Sequence, residues 1–343
     1  MTPIPSTGHA GDLPRHRTVP PTDLLDPEQT LNLLDHLTWS DDLSDGHWQR
    51  AARYVADRLP DRPEPTAETC RRTAAPWVST GTRPTGFGRT TLYRAKYDLL
   101  AEILPHARFT FMNMGYLEAD GGADPHGNPF DDVGSGPATL YRTLLDHVEP
   151  AGGDVLDLGC GRGGGSALVA GLRRVDSVVG LDLAPGNVAF CQRVHRAEGL
   201  RFHCGDAARL PFDDACFDLV LAVESAHCFE ALDESLAEAR RVLRPDGRLV
   251  FADEWPADSV PELEVRMRGA GFRVVELADI TTGVVRSIDA LPPRVTRLLA
   301  ALPQGPVRDA YQRFFRTRIG SDSAQLYRSG RCSYLRLIAV PRP

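Results

Sequence analysis

Apolar positions change their spacing partway along the chain. In DPEQTLNLLDHLTW, Leu31, Leu34 and Leu37 fall on one stripe, and in DGHWQRAARYVADRL, Trp48, Ala51, Ala52, Val55 and Leu59 do the same. That spacing predicts a helix pair over about 24–60. A third helix, RTTLYRAKYDLLAEIL, is predicted over 89–104, with Pro105 ending it. From Asp154 the rhythm becomes short apolar runs alternating with helical stretches. DVLDLG, SVVGLDL, LRFHCGDA, CFDLVLAVE, GRLVFADEW and FRVVELADIT read as six strands, with helices between most of them. Two helices near 288–302 and 306–318 precede a last strand, CSYLRLIAV. Strands alternating with helices predict an α/β fold with a mostly parallel sheet covered on both faces.

The chain divides accordingly. Residues 1–22, rich in Pro, Gly and Thr, read as a disordered tail. Residues 23–88 read as a helical extension and linker, and 89–343 as the main domain. The extension is expected either to cap a pocket or to join chains into a homo-oligomer. With 42 % hydrophobic and 25 % charged residues, the 343-residue chain has an ordinary globular composition. The net charge of -7 leaves no broad basic surface for nucleic acid. No apolar run approaches the roughly 18 residues of a membrane span.

The N-terminal stretch lacks the apolar region of a secretory signal. The seven cysteines form no CxxC pair, so reduced thiols in a cytoplasmic protein are expected. No metal site is expected either: His203–Cys204 and His227–Cys228 are neighbours whose side chains diverge on a strand.

The sharpest local feature is VLDLGCGRGGGSALVA, residues 155–170. A strand ends at Asp157, and Gly159, Gly161 and Gly163 lead into a helix. Glycines permit positive φ and close approach of a ligand to the backbone, and the helix N-terminus offers free N–H groups. Alone, this turn also fits a dinucleotide or no ligand at all.

The rest of the sheet carries a resemblance. VLDLGCGRGG resembles the first motif of class I S-adenosylmethionine (SAM)-dependent methyltransferases. GLDLAP with Asp182, GDAARLPF with Asp206, FDLVLAVESAHC and RVLRPDGRLVFAD resemble their second to fifth motifs, in order. Asp246 departs from the usual glycine of RPGG. The resemblance covers about residues 90–343. It implies a Rossmann-like, doubly wound, mostly parallel seven-stranded sheet with an antiparallel last strand, beside the N-terminal helical extension.

It also implies the cofactor SAM and places it. Gly159 and Gly161 would lie against the methionine part and Asp157 would hold the ammonium. Asp182, with Leu183 beside it, would accept from the ribose hydroxyls, since a carboxylate only accepts. Asp206 would accept from the adenine amino group, with the Ala207 N–H facing a ring nitrogen. Helix capping is the plain alternative for Asp182 and Asp206. Cys160 reads as a small loop residue. In PHARFTFMNMGYLEADGG the phrase around Asn113, Met114 and Tyr116 is similar to one found before the sheet in small-molecule methyltransferases. By that resemblance Tyr116 contacts SAM or lines the methyl pocket. Tyr93 and Tyr97 share a helix face, which packing alone explains.

VESAHC after the fourth strand supplies the catalytic candidates, Glu224 and His227. Either would accept a proton or steady positive charge, and Glu224 could instead hold the SAM ammonium. The phrase resembles that of the phthiotriolone O-methyltransferase and teleocidin-pathway C-methyltransferase types, which also share ITTGVV-like residues. The resemblance leaves carbon and oxygen both open as the methylated atom. The implied acceptor is a small, largely apolar secondary metabolite: a polyketide, terpenoid, indole or aromatic amino-acid derivative. Lid elements are expected at 105–130 and 288–318, where Tyr311, Phe314 and Phe315 could supply apolar wall. Arg308, Arg313, Arg316 and Arg318 read as a solvated face or a grip for an anion. The rival readings are a NAD-dependent oxidoreductase and a SAM-binding module without catalysis.

Overall fold

The computed structural model describes residues 89–119, 129–148, 153–172, 175–319 and 322–343. The tail and the helix pair expected within residues 1–88 lie outside the described residues. Helices α1 (Arg89–Ile103) and α2 (Pro129–Asp146) precede β1 (Asp154–Leu158), α3 (Gly164–Ala170), β2 (Ser177–Asp182), α4 (Pro185–Val194), β3 (Leu200–Cys204) and β4 (Phe217–Val223). A 3-10 turn, Ala226–Cys228, leads to α5 (Leu232–Val242), β5 (Leu243–Pro256), α6 (Val260–Gly269) and β6 (Phe272–Asp279). Four helices follow, α7 (Thr281–Asp289), α8 (Leu291–Ala301), α9 (Pro306–Ile319) and α10 (Asp322–Arg328), before β7 (Cys332–Pro341). Proline in the first turns of α4, α6 and α8 sets φ where no amide donor is needed.

The seven strands run in the order β3-β2-β1-β4-β5-β7-β6. β7 is antiparallel to both neighbours and the remaining pairs are parallel. Period-two alternation gives each strand two apolar faces. Leu156, Leu158, Val220, Ala222, Leu249 and Phe251 pack with Leu236 of α5 and Leu263 and Met267 of α6. Val155, Leu219, Leu221, Val223, Val250 and Ala252 pack with Leu140 and Leu144 of α2, Val169 of α3 and Val284 and Ile288 of α7. A third cluster is almost wholly helical: Leu99, Leu100 and Leu104, Phe109, Phe130, Val295 and Leu298, and Tyr311 and Phe315. It forms a body of α1, α8 and α9 beside the sheet. Among the described residues no helix is long and apolar enough to cross a membrane.

Three helices differ from the sequence expectation. The sequence reading assigns no helix over Pro129–Asp146, a helix that contains Gly134, Gly136 and Pro137. Tertiary approach explains the glycine at 136: a Cβ there would stand 2.4 Å from the Ser287 hydroxyl. The Gly136 carbonyl meanwhile accepts from the Tyr116 N–H at 3.0 Å. ITTGVV, whose first two residues are read as the end of the sixth strand, leads into α7. Gly283 is needed there because the Tyr116 ring occupies the place of a Cβ, at 2.0 Å. α10 was too short to show a period.

Candidate active site

The strand order reverses between β1 and β4, and open sheets of this kind place ligands outside the carboxyl ends at such a point. A cavity of about 370 Å³ lies there. Its wall includes Gly159, Gly161, Asp182, Leu183, Asp206, Ala207, Glu224 and His227. One crevice therefore brings together eight of the ten residues singled out from the sequence.

The glycine loop is held from both sides. Gly159 (φ 69°) donates to Leu181 O at 2.7 Å, and a Cβ on it would stand 2.4 Å from Ser225 Cβ. Gly161 (φ 55°) has open space where its Cβ would be, so its backbone lies bare to the cavity. Its N–H donates to Asp182 Oδ2 at 2.8 Å. Asp182 Oδ1 accepts from the Ala184 N–H at 2.9 Å and from Asn187 at 3.2 Å. It closes the turn ahead of α4 without capping the helix, whose cap residue is Ala184, while it also faces the cavity. Burial pushes the Asp182 carboxyl up to about 6 against those hydrogen bonds.

Asp206 is exposed at the tip following β3, its Oδ1 accepting from the Ala208 N–H at 2.9 Å. Asp157 is fully buried; its Oδ2 accepts from Ser166 at 2.6 Å. Its Oδ1 has no hydrogen-bond partner among the described residues. Burial raises this carboxyl to about 6 as well. The Cys160 thiol, hydrogen-bonded to Cys191 and buried, is pushed well above its usual range, which fits a packed loop residue.

At the end of β4 the backbone turns through Glu224 with φ 49°, a left-handed conformation unusual for a residue with a Cβ. Its N–H holds Ala252 O at 2.7 Å. The carboxylate is engaged at both oxygens. Oε2 accepts from the Met114 N–H at 2.6 Å and faces the Tyr334 hydroxyl at 3.2 Å, while Oε1 pairs with Arg318 at 3.3 Å. Burial pushes Glu224 up to about 7, Arg318 and Met114 opposing it.

His227 is set differently. Its Nδ1 lies 2.8 Å from Asp253 Oδ1. Asp253 is fully buried at the end of β5, and its Oδ2 also accepts the Ser225 and His227 backbone N–H groups at 3.0 and 3.1 Å. Burial disfavours imidazolium, but Cys228 and Asp253 outweigh it and hold His227 well above its ordinary pKa. The ring stands edge-on to Tyr93, centroids 6.4 Å apart.

Tyr116 corrects the sequence expectation. Neither it nor Asp157 is among the residues that line the cavity; the Tyr116 ring packs on Gly283 of α7. Its neighbours Asn113 and Met114 do line the wall. Tyr93 and Tyr97, read as packing, line it too. In α9, Arg313, Phe314 and Arg318 face the cavity, whereas Tyr311 and Phe315 are buried in the helical cluster.

Sequence reasoning missed Asp253, Lys96 and Arg162. Asp253 was findable as an acid near the end of the strand next to β4. Arg162, inside the glycine run, is buried and donates to Phe109 O at 2.6 Å and Leu104 O at 2.7 Å. Its guanidinium lies 3.6 Å from the Phe190 ring centroid. Among the described residues no group of three or more His, Cys, Asp or Glu could hold a metal.

Residues 156–251 match a methyltransferase domain. The phthiotriol/phenolphthiotriol dimycocerosates methyltransferase 1 of Mycobacterium ulcerans is 34% identical over 253 residues, covering 72% of this chain and 90% of that protein. A fatty-acid O-methyltransferase of Mycolicibacterium smegmatis is 37% identical over 215 residues, covering 59% and 77%. Among solved structures, the [4+2]-cyclase SpnF superposes with a TM-score of 0.56 at 20% identity over 77% of this chain and 99% of its own. The geranyl diphosphate C-methyltransferase of Streptomyces coelicolor gives 0.54 at 18% over 76% and 100%. At such identities these structures establish the fold alone.

Proposed function

Since the chain belongs to the SAM-dependent methyltransferase family, with the mycobacterial phthiotriol/phenolphthiotriol dimycocerosates methyltransferases among its relatives, we propose that it methylates a hydroxyl oxygen of a small apolar acceptor, His227 taking the proton. Family membership decides between the cofactors that the glycine turn left open, in favour of SAM. The enzyme methylates apolar small molecules, in keeping with the lipid names its relatives carry.

The residues present fit SAM. The bare backbone at Gly161 leaves a cradle for the methionine part, while Asp157 lies behind the wall with its carboxyl hydrogen-bonded to Tyr141, which does line the cavity. Asp182 and Asp206, at successive strand tips, are acceptors suited to a diol and an exocyclic amine. When bound, SAM supplies a sulfonium-activated methyl group. The chain's own work is then to align the acceptor, exclude water and remove a proton; alignment contributes roughly 7–11 kcal/mol in favourable systems.

The observation that carries the oxygen reading is the His227–Asp253 pair facing the glycine loop across one cavity. With Nδ1 committed to Asp253, proton exchange falls to Nε2, and the buried carboxylate stabilises the imidazolium that results. Glu224 is the weaker of the two candidate bases because the protein's own groups take both its oxygens. We assign it instead to holding the Met114 segment and α9 against the sheet. Segment 105–119 and α9, backed by α8, form the cover over the acceptor, contributing Phe111, Met112 and Phe314 to its wall.

The test is transfer from labelled SAM to hydroxylated aromatic and aliphatic acceptors as a function of pH. The rate is expected to rise with pH through a value above 6.5, as His227 loses its proton. H227A should lose about 10²–10⁴ in rate with SAM affinity intact. D253N should move the rise to lower pH while slowing the reaction. A pH-independent rate, or full turnover by H227A, would remove the oxygen reading.

A further inference from the structure

Lys96 is a charge in the cavity wall to which the proposed reaction gives no role. It sits on α1 and lines the wall with Tyr93, Tyr97, Leu100 and Ile103, all from the same helix. Its ammonium lies 5.5 Å from the Tyr93 ring centroid and 5.2 Å from that of Tyr97. The two rings are themselves stacked, 6.4 Å apart and 20° from parallel. Among the described residues the ammonium makes no hydrogen bond or ion pair.

The charged neighbours are committed elsewhere. Arg318 pairs with Glu224, and Glu254 Oε2 accepts from the Tyr327 hydroxyl at 2.6 Å. A tyrosine face attracts a cation by roughly 0.5–2 kcal/mol, which falls short of the hydration that burial removes. Burial lowers Lys96 to about 8, so it is still mostly charged at neutral pH. A site of this kind is completed by an anion that brings apolar bulk with it. Phe314, Leu100 and Met112 supply the matching apolar wall.

We propose that Lys96 is an anchoring residue for an anionic oxygen group on the acceptor, which makes the acceptor a hydroxylated, apolar carboxylic acid or an amphiphile of the same charge. The inference rests on the reading that this cavity holds the acceptor. The anion seats on the ammonium beside the tyrosine pair, and the hydroxyl to be methylated is a separate group that faces His227. Lys96 thereby selects the acceptor without entering the proton transfer.

The experiment is calorimetric titration of the full-length protein, saturated with S-adenosylhomocysteine, with decanoate and with the near-isosteric, neutral decanamide. Decanoate is expected to bind roughly tenfold tighter or more, the value of one charge-assisted hydrogen bond. K96M should erase that preference, K96R should keep most of it, and S-adenosylhomocysteine should bind all three proteins alike. Equal binding of the two probes to the wild type, failure of decanoate to bind, or a preference that survives K96M would each overturn the proposal. The methyltransferase reading is tested separately by the S-adenosylhomocysteine titration. A protein that ignores that ligand yet prefers decanoate through Lys96 would sink that reading and leave the anion site standing.

Discussion

The two walls of the cavity are made of different material. The cofactor side is backbone and short acids: Gly159, Gly161, Asp182 and Asp206 stand at strand ends whose register the sheet fixes, Leu158 level with Leu181 and Asp182 with Cys204. The acceptor side is long side chains on helices, with Tyr93, Lys96 and Tyr97 from α1 and Arg313, Phe314 and Arg318 from α9. Backbone amides and strand tips cannot move without breaking the ladder. Long side chains on a helix body can be exchanged while the body still packs. The first wall therefore serves one invariant ligand, and the second adapts to whichever acceptor the enzyme takes.

If that division is real, a change on one side should leave the other untouched. The largest effect is expected from D182A, which removes an acceptor from the cofactor side and frees the Gly161 and Ala184 amides. SAM affinity should fall by about 2–3 kcal/mol, roughly 30- to 150-fold, with decanoate affinity retained in calorimetry. Equal loss of both would break the division. F314A should do the converse, weakening an apolar acceptor by about 1–2 kcal/mol with S-adenosylhomocysteine binding far less affected.

The smallest effect is expected at the seam, where Glu224 touches both halves. Its carboxyl is raised from 4.5 to about 7 in the folded protein, so the folded state holds the proton more tightly than the unfolded chain. The stability tied to that proton is fully present below 4.5 and is lost as pH rises through about 7. E224Q, permanently neutral, should therefore be more stable than the wild type at pH 8 by on the order of 1 kcal/mol, with most of the gain gone at pH 5. A gain at pH 5 as large as that at pH 8 would refute a buried, neutralised Glu224.

The same contrast explains what could be read from residues alone. Strands, their order of motifs and the acids at their tips were legible because strand end, glycine and carboxylate keep fixed spacing around a fixed ligand. α2 was hidden because Gly136 and Pro137 speak for breakage while tertiary packing requires the small residue. Tyr116 was misplaced: one residue separates it from the lining stretch that ends at Met114, and the turn at Gly115 (φ 78°) sends its ring to α7 instead. Lys96 was passed over because a lysine between two tyrosines at helical spacing is the usual sign of a wet helix face. Only the fold shows that this face looks inward.

Arg162 carries a practical consequence. Because it grips Leu104 and Phe109 from inside the glycine turn, the stretch that roofs the acceptor is fastened to the very loop that must receive the cofactor. Anyone wishing to retarget this catalyst to bulkier molecules should expect even a change at Phe314 to reach that loop, because its ring stands edge-on to Phe109, centroids 5.4 Å apart.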